Sequence, residues 1–137
     1  MPNMLRTATP NGDWRSFKFT CEETAGFLGA KAAQAAGSSW LYLVEDTVGA
    51  QLEDVAFGDE GVLIYHAEKI MVPKGTDTLD VFLPGQNVYW DPATRLVTAI
   101  AETGNYRIGI ATEPAIAADE FVEIDLDGAG ATAKAIA

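Results

Sequence analysis

A chain of 137 residues, 48% hydrophobic and 21% charged, has the size and make-up of one globular domain, neither disordered nor built of membrane spans. Its 20 acidic and 9 basic residues give a formal net charge of −11; the basic residues are scattered, so the field repels nucleic acid and no nucleic-acid partner is expected. Apolar runs of a few residues fall short of the roughly twenty a transmembrane helix requires, residues 1–20 lack the apolar block of a secretory signal, and the lone Cys21 offers neither an internal disulfide nor a cysteine zinc site.

Residues 1–13, MPNMLRTATPNGD, hold two prolines and a glycine without sustained periodicity, and read as an N-terminal arm. With Met4 and Leu5 as its apolar side chains, it is either a frayed terminus or a segment that orders on a partner. Residues 14–128 read as a single β domain. Its first strand covers 14–20, with Phe17 and Phe19 on one face. An alanine-rich stretch follows, and Thr24 and Gly37 would cap and end one short helix within 23–36, although Gly26 and Gly29 weaken it.

From Trp40 onward the residues are those of strands. Trp40 to Val44, Val48 to Leu52, Gly61 to His66, Lys69 to Val72 and Leu79 to Leu83 are short β-branched and aromatic runs. Turn residues separate them at Gly58-Asp59-Glu60, Pro73-Lys74-Gly75 and Pro84-Gly85. The stretch Gly85 to Ile100 predicts a hairpin, with Val88 and Trp90 on one face and Leu96, Thr98 and Ile100 alternating after the break. Asp91 can accept a backbone hydrogen bond at the turn, where Pro92 presets its second position. Two further strands, Tyr106 to Thr112 and Glu120 to Leu126, complete the set. In the last, Val122, Ile124 and Leu126 oppose Glu123 and Asp125. Gly109 marks a place where another backbone approaches closely. The residues beyond Gly128 form a mobile tail, 129–137, with no partner pattern. The regular return of short strands predicts an all-β fold: a small antiparallel β-barrel or sandwich.

Catalytic patterns are scarce. His66 is the one histidine and has no nucleophile-elbow serine or cysteine to serve. Glu22 and Glu23 oppose ionisation of Cys21. Asp125-Leu126-Asp127-Gly128 lacks the further ligands and terminal glutamate of a calcium loop. The pairs Asp59-Glu60 and Glu53-Asp54 lie in turn contexts that suit solvated loops better than an acid–base pair, and neither GxGxxG nor a Walker A loop occurs. No catalytic residue, cofactor or metal is expected. The aromatic residues are too numerous for one small barrel to hide with certainty, so outward ones such as Tyr42 or Tyr89 would suit a subunit contact.

One family accounts for the order of these motifs. It is carried by Val48-Gly49-Ala50 with Glu53-Asp54, Gly58 with Glu60-Gly61-Val62, and Ile70 through Val72-Pro73-Lys74. Gly85, Val88-Tyr89-Trp90-Asp91, Leu96-Val97-Thr98, Gly104, Ile108-Gly109-Ile110-Ala111, and Val122, Ile124 and Leu126 continue it. From about Trp40 to Asp127 the chain resembles the DUF2190 family of phage capsid cement, or head decoration, proteins. The alanine-rich stretch departs from that pattern. Some proteins resembling this family carry a recombinase label, against which the missing phosphate loop argues.

The resemblance implies a non-enzymatic structural protein made in the bacterial host cytoplasm. It would bind the outer surface of a tailed-phage head as a homotrimer and bridge neighbouring major capsid protein subunits after expansion. Met4, Leu5, Trp14, Phe17, Tyr42 and Tyr89 are then the candidate capsid or subunit contacts, and neither a membrane nor nucleic acid is a partner. A surface β module that stacks exposed aromatics on a carbohydrate, or binds a receptor, is the alternative.

Overall fold

The computed structural model describes residues 14–32 and 35–137; the arm at 1–13, with Met4 and Leu5, lies outside them. Among the described residues the strands are β1 Arg15–Thr20, β2 Leu41–Val44, β3 Thr47–Gln51, β4 Glu60–Pro73, β5 Asn87–Trp90, β6 Val97–Thr98, β7 Tyr106–Ala111 and β8 Phe121–Asp127. They form one antiparallel sheet in the order β2-β3-β4-β8-β7-β5-β6, and β1 also pairs with β4. The sheet curls into a half-barrel, and a parallel bridge between Lys74 and Val97 draws its β6 edge back to the end of β4. The all-β expectation therefore holds.

Strand alternation builds the core. Val122, Ile124 and Leu126 of β8 are buried while Glu123 and Asp125 stay partly exposed, and Val88 and Trp90 of β5 face the same interior as Ile70, Val72 and Ile108. Each such side chain contributes about 1.5–3 kcal/mol when fully buried. Gly109 lies where a Cβ would meet the Asp125 carbonyl oxygen of β8, which is the close backbone approach its position predicted.

β4 is the spine. Its first half pairs with β1 and β3 and its second half with β8. The two runs 61–66 and 69–72 are thus one strand, joined through a bulge between Ala67 and Ile70. There Lys69 takes a φ of 54°, and its N–H donates to the Asp125 carboxylate at 3.0 Å.

Four expectations need correction. No described residue of 23–36 is helical. Gly26 has a φ of 75°, Phe27 bridges to Val55, and a Cβ on Gly29 would collide with the Leu52 and Glu53 backbone. The stretch lays Phe27 against Tyr42, Val55 and Cys21 as a second small core, and that burial outweighs alanine's helix propensity.

Leu79 to Leu83 is not a strand either, because only Phe82 bridges, to Ala115. Its neighbour Asp80 turns inward, accepting hydrogen bonds from the Thr98 hydroxyl and the Asp77 N–H.

In the hairpin, Val97 rather than Leu96 or Thr98 is fully buried. Asp91 accepts from Ala93 N–H at 2.8 Å through its side chain, as its position predicted, and from Arg95 N–H at 2.7 Å through its carbonyl. Arg95 then needs a φ of 62°. The wider loop moves the returning strand by one residue, which exchanges its faces.

The tail is docked, not loose. Ala131–Lys134 form a 3-10 turn with Ala131 buried, and Ile136 N–H donates to the Asn105 carbonyl at 2.8 Å.

Candidate functional site

Exposed apolar side chains gather at the two ends of β4. Its 14 residues separate those ends by up to roughly 45 Å at about 3.3 Å per residue.

At the Glu60 end Val62 is exposed, as are Phe57, at 61%, and Leu28 in the segments joined there by the pairings of Gly58 with Cys21 and of Phe27 with Val55. Val62 lines a groove with Leu52, Val55 and Ile64 and with Glu53, Asp54 and Glu60. Basic residues accompany those acids, since Lys31 pairs with Glu53 at 2.6 Å and Lys18 with Glu60 at 3.9 Å.

At the Pro73 end, Leu79, Leu83 and Ile116 are 68, 63 and 64% exposed. The Phe82–Ala115 bridge explains why. Phe82 and Ala115 exchange N–H···O bonds of 2.9 and 3.0 Å and both point inward, so Val81, Leu83 and Ile116 beside them point out. Next to them Met71, Pro114 and Phe121 line a groove of about 350 Å³ with Glu113, Asp119, Glu120 and Glu123.

Lys74 holds this end in shape. It is only 2% exposed, and the three N–H donors of its ammonium are shared among the carbonyls of Gly75 at 2.8 Å, Ile116 at 3.0 Å, Ala117 at 3.2 Å and Asp119 at 2.8 Å. One cation thereby ties the end of β4 to the 116–119 loop. Burial lowers its pKa from the ordinary value, a shift that Asp80 and Asp119 oppose. In the sequence, Lys74 stood in a turn-forming triplet. The sign it carried was a lysine one residue beyond an apolar β run, and that becomes informative only once the crossing loop is known.

The candidate contacts are not brought together. Trp14 is half-buried against the main core. Phe17 is half-buried with its ring 5.7 Å from that of Tyr65, and Tyr89 is half-buried on β5, opposite Thr98 and Arg107. Tyr42 is buried, which corrects its assignment as an outward contact. Its ring stacks on Phe27 at 3.9 Å. Its hydroxyl accepts from Leu28 N–H at 2.6 Å and faces the carbonyls of Leu28 at 2.9 Å and Ser39 at 3.2 Å. Phe27 supplied the inner partner that turned Tyr42 inward. With Tyr42 in the interior, half-buried Tyr89 is what remains of the outward pair that a carbohydrate reading could use. Sequence reasoning missed Leu79, Leu83, Ile116 and Phe57, because apolar residues in strand-like runs read as core.

Desolvation raises the Tyr42 pKa above its ordinary 10.0, with the Leu28 hydrogen bond and Arg95 opposing. The unfolded phenol therefore ionises first. The stabilisation is complete below about pH 10 and is lost as pH rises through the folded value. Unfolding midpoints measured across that window should fall for the wild type and fall less for Tyr42→Phe. Because the Leu28 N–H loses its acceptor, the variant starts about 1–2 kcal/mol less stable at neutral pH.

Among the described residues, no group of three or more His, Cys, Asp or Glu side chains is placed to hold a metal ion, and no helix is long and apolar enough to cross a membrane. The family profile described as phage cement protein matches residues 22–126. The chain belongs to the phage cement protein family. Membership carries a capsid-associated structural role in the virion, and the family is a non-catalytic one. The match includes Phe27, Tyr42 and Val55 of the second small core and both exposed ends of β4, so the alanine-rich stretch lies within the family's domain. The search of curated proteins returned no match, and neither did the search of solved structures.

Proposed function

We propose that this cement protein binds the outer surface of a tailed-phage head and bridges neighbouring major capsid subunits as a homotrimer, stabilising the expanded shell without catalysing a reaction. The family match over 22–126 carries the reading. Exposed apolar side chains at both ends of β4 support bridging, because a body with a contact at each end can touch two subunits. Three such bodies in one trimer gain further from multivalency, since the first contact raises the effective concentration of the others. The arm at 1–13 would extend to a neighbour or add a strand to an open sheet edge, and half-buried Trp14, Phe17 and Tyr89 would contribute to subunit contacts. A net charge of −11 keeps a protein made in the host cytoplasm soluble at high concentration and away from packaged DNA.

Mixing the purified protein with expanded undecorated heads and with unexpanded proheads tests this. Saturable co-sedimentation with expanded heads alone, and a solution mass of three chains by light scattering, are expected. Absence of binding to either particle would withdraw the capsid role.

A further inference from the structure

The two ends of β4 differ in charge. Segments 75–86 and 112–123, which build the Pro73 end, contain Asp77, Asp80, Glu113, Asp119, Glu120 and Glu123 and no lysine, arginine or histidine. The cation beneath them, Lys74, is buried and directed at backbone carbonyls. Asp80, Asp119 and Glu123 also make hydrogen bonds within the fold, to Thr98, the Ile116 N–H and Thr112 respectively. Asp77, Glu113 and Glu120 remain exposed around Leu79, Leu83 and Ile116. At the Glu60 end, by contrast, acids are paired with Lys18 and Lys31.

We infer that the face formed by Leu79, Leu83 and Ile116 with the Glu113–Glu120 groove docks a segment of the major capsid protein whose apolar side chains are flanked by lysine or arginine. The inference rests on the cement reading and adds the face and the partner chemistry to it. The apolar centre with a charged rim is the anatomy of a protein–protein contact. The sign of the rim selects the occupant. Two copies of this chain meeting face to face would place acidic rim against acidic rim, an arrangement that costs energy and disfavours two-fold pairing. A head-to-tail trimer contact through this face would need a cationic patch on the neighbour, whereas the basic residues of this chain are scattered. A basic segment gains from the same field. Met71 and Phe121 line the groove beside the carboxylates, where the alkyl stem of a lysine or the plane of an arginine can lie while its charge reaches Glu113 or Glu120.

Co-sedimentation with expanded heads is measured from about 0.05 to about 0.5 M salt for the wild type, Glu113→Gln/Glu120→Gln and Leu83→Ser/Ile116→Ser, with light scattering and circular dichroism on each. Wild-type affinity is expected to fall as salt rises. The amide pair should bind on the order of tenfold more weakly at low salt and lose most of the salt dependence. The serine pair should bind at least about tenfold more weakly at every salt concentration while keeping the wild-type mass. If the serine pair alters the dichroism, Leu79→Ser at the most exposed position takes its place.

Wild-type binding with both variants unaffected would overturn the face while leaving the cement role standing. A variant that loses the trimer mass would show the occupant to be a second copy and overturn the inference. Weakened serine variants beside an unaffected amide pair and salt-independent binding would overturn the basic partner. If the wild type itself binds no head, the cement reading fails, an outcome distinct from the other three.

Discussion

Lys74→Met is expected to lower the folding stability of this cement protein by roughly 3 kcal/mol or more. Methionine nearly matches the length of the lysine stem and fills the same space, so no large cavity accounts for the loss. What disappears is the donor. The Ile116, Ala117 and Asp119 carbonyls all turn toward the ammonium, and in a buried site an acceptor without a donor keeps its full desolvation cost. Asp80, also buried, loses the neighbouring positive charge. The defect falls on the loops that carry Leu79 and Ile116. Urea unfolding gives the stability loss, and amide exchange should show Asp80 and Asp119 N–H groups opening before the β4–β8 ladder. A variant as stable as the wild type, with unchanged exchange in those loops, would mean that Lys74 does not organise this end of the molecule.

Gly128→Ala should be comparably severe, about 3 kcal/mol. A Cβ there would fall on the Val48 carbonyl oxygen, which is backbone and has no rotamer to change. Gly128 also joins separate strands. Its N–H donates to Tyr65 of β4 at 2.8 Å, and its carbonyl accepts from Val48 of β3 at 3.0 Å. Relieving the overlap must move β3 away from β8, breaking those bonds and disturbing the packing of buried Val48 and Leu126. Thermal unfolding measures the cost. Gly37→Ala provides the contrast, since nothing lies within 4 Å of its Cβ position; its φ of 81° costs only about 1–2 kcal/mol of backbone strain.

The residue pattern alone determined the all-β class, the position of most strands, the inward faces of β5 and β8, the close approach at Gly109 and the family. These follow from short-range physics. A period of two separates faces, and proline, glycine and aspartate punctuate turns within a few residues. Tertiary structure decided the rest, each time through a partner distant in sequence. Tyr42 looked outward until Phe27 and the Leu28 backbone closed over it. The alanine-rich stretch had helical composition, but Val55 offered Phe27 a bridge and a place to bury its ring.

Leu79 to Leu83 had strand composition, yet Asp80 found Thr98 and the segment became a loop with its leucines in solvent. The docking of Ile136 on Asn105 spans 31 residues along the chain, and nothing in the tail's own residues announces it. The Pro73 end was the least legible for the same reason. Its exposed leucines, buried lysine and cation-free acidic rim belong to segments 75–86 and 112–123, and only the fold of β4 onto β8 makes them one surface.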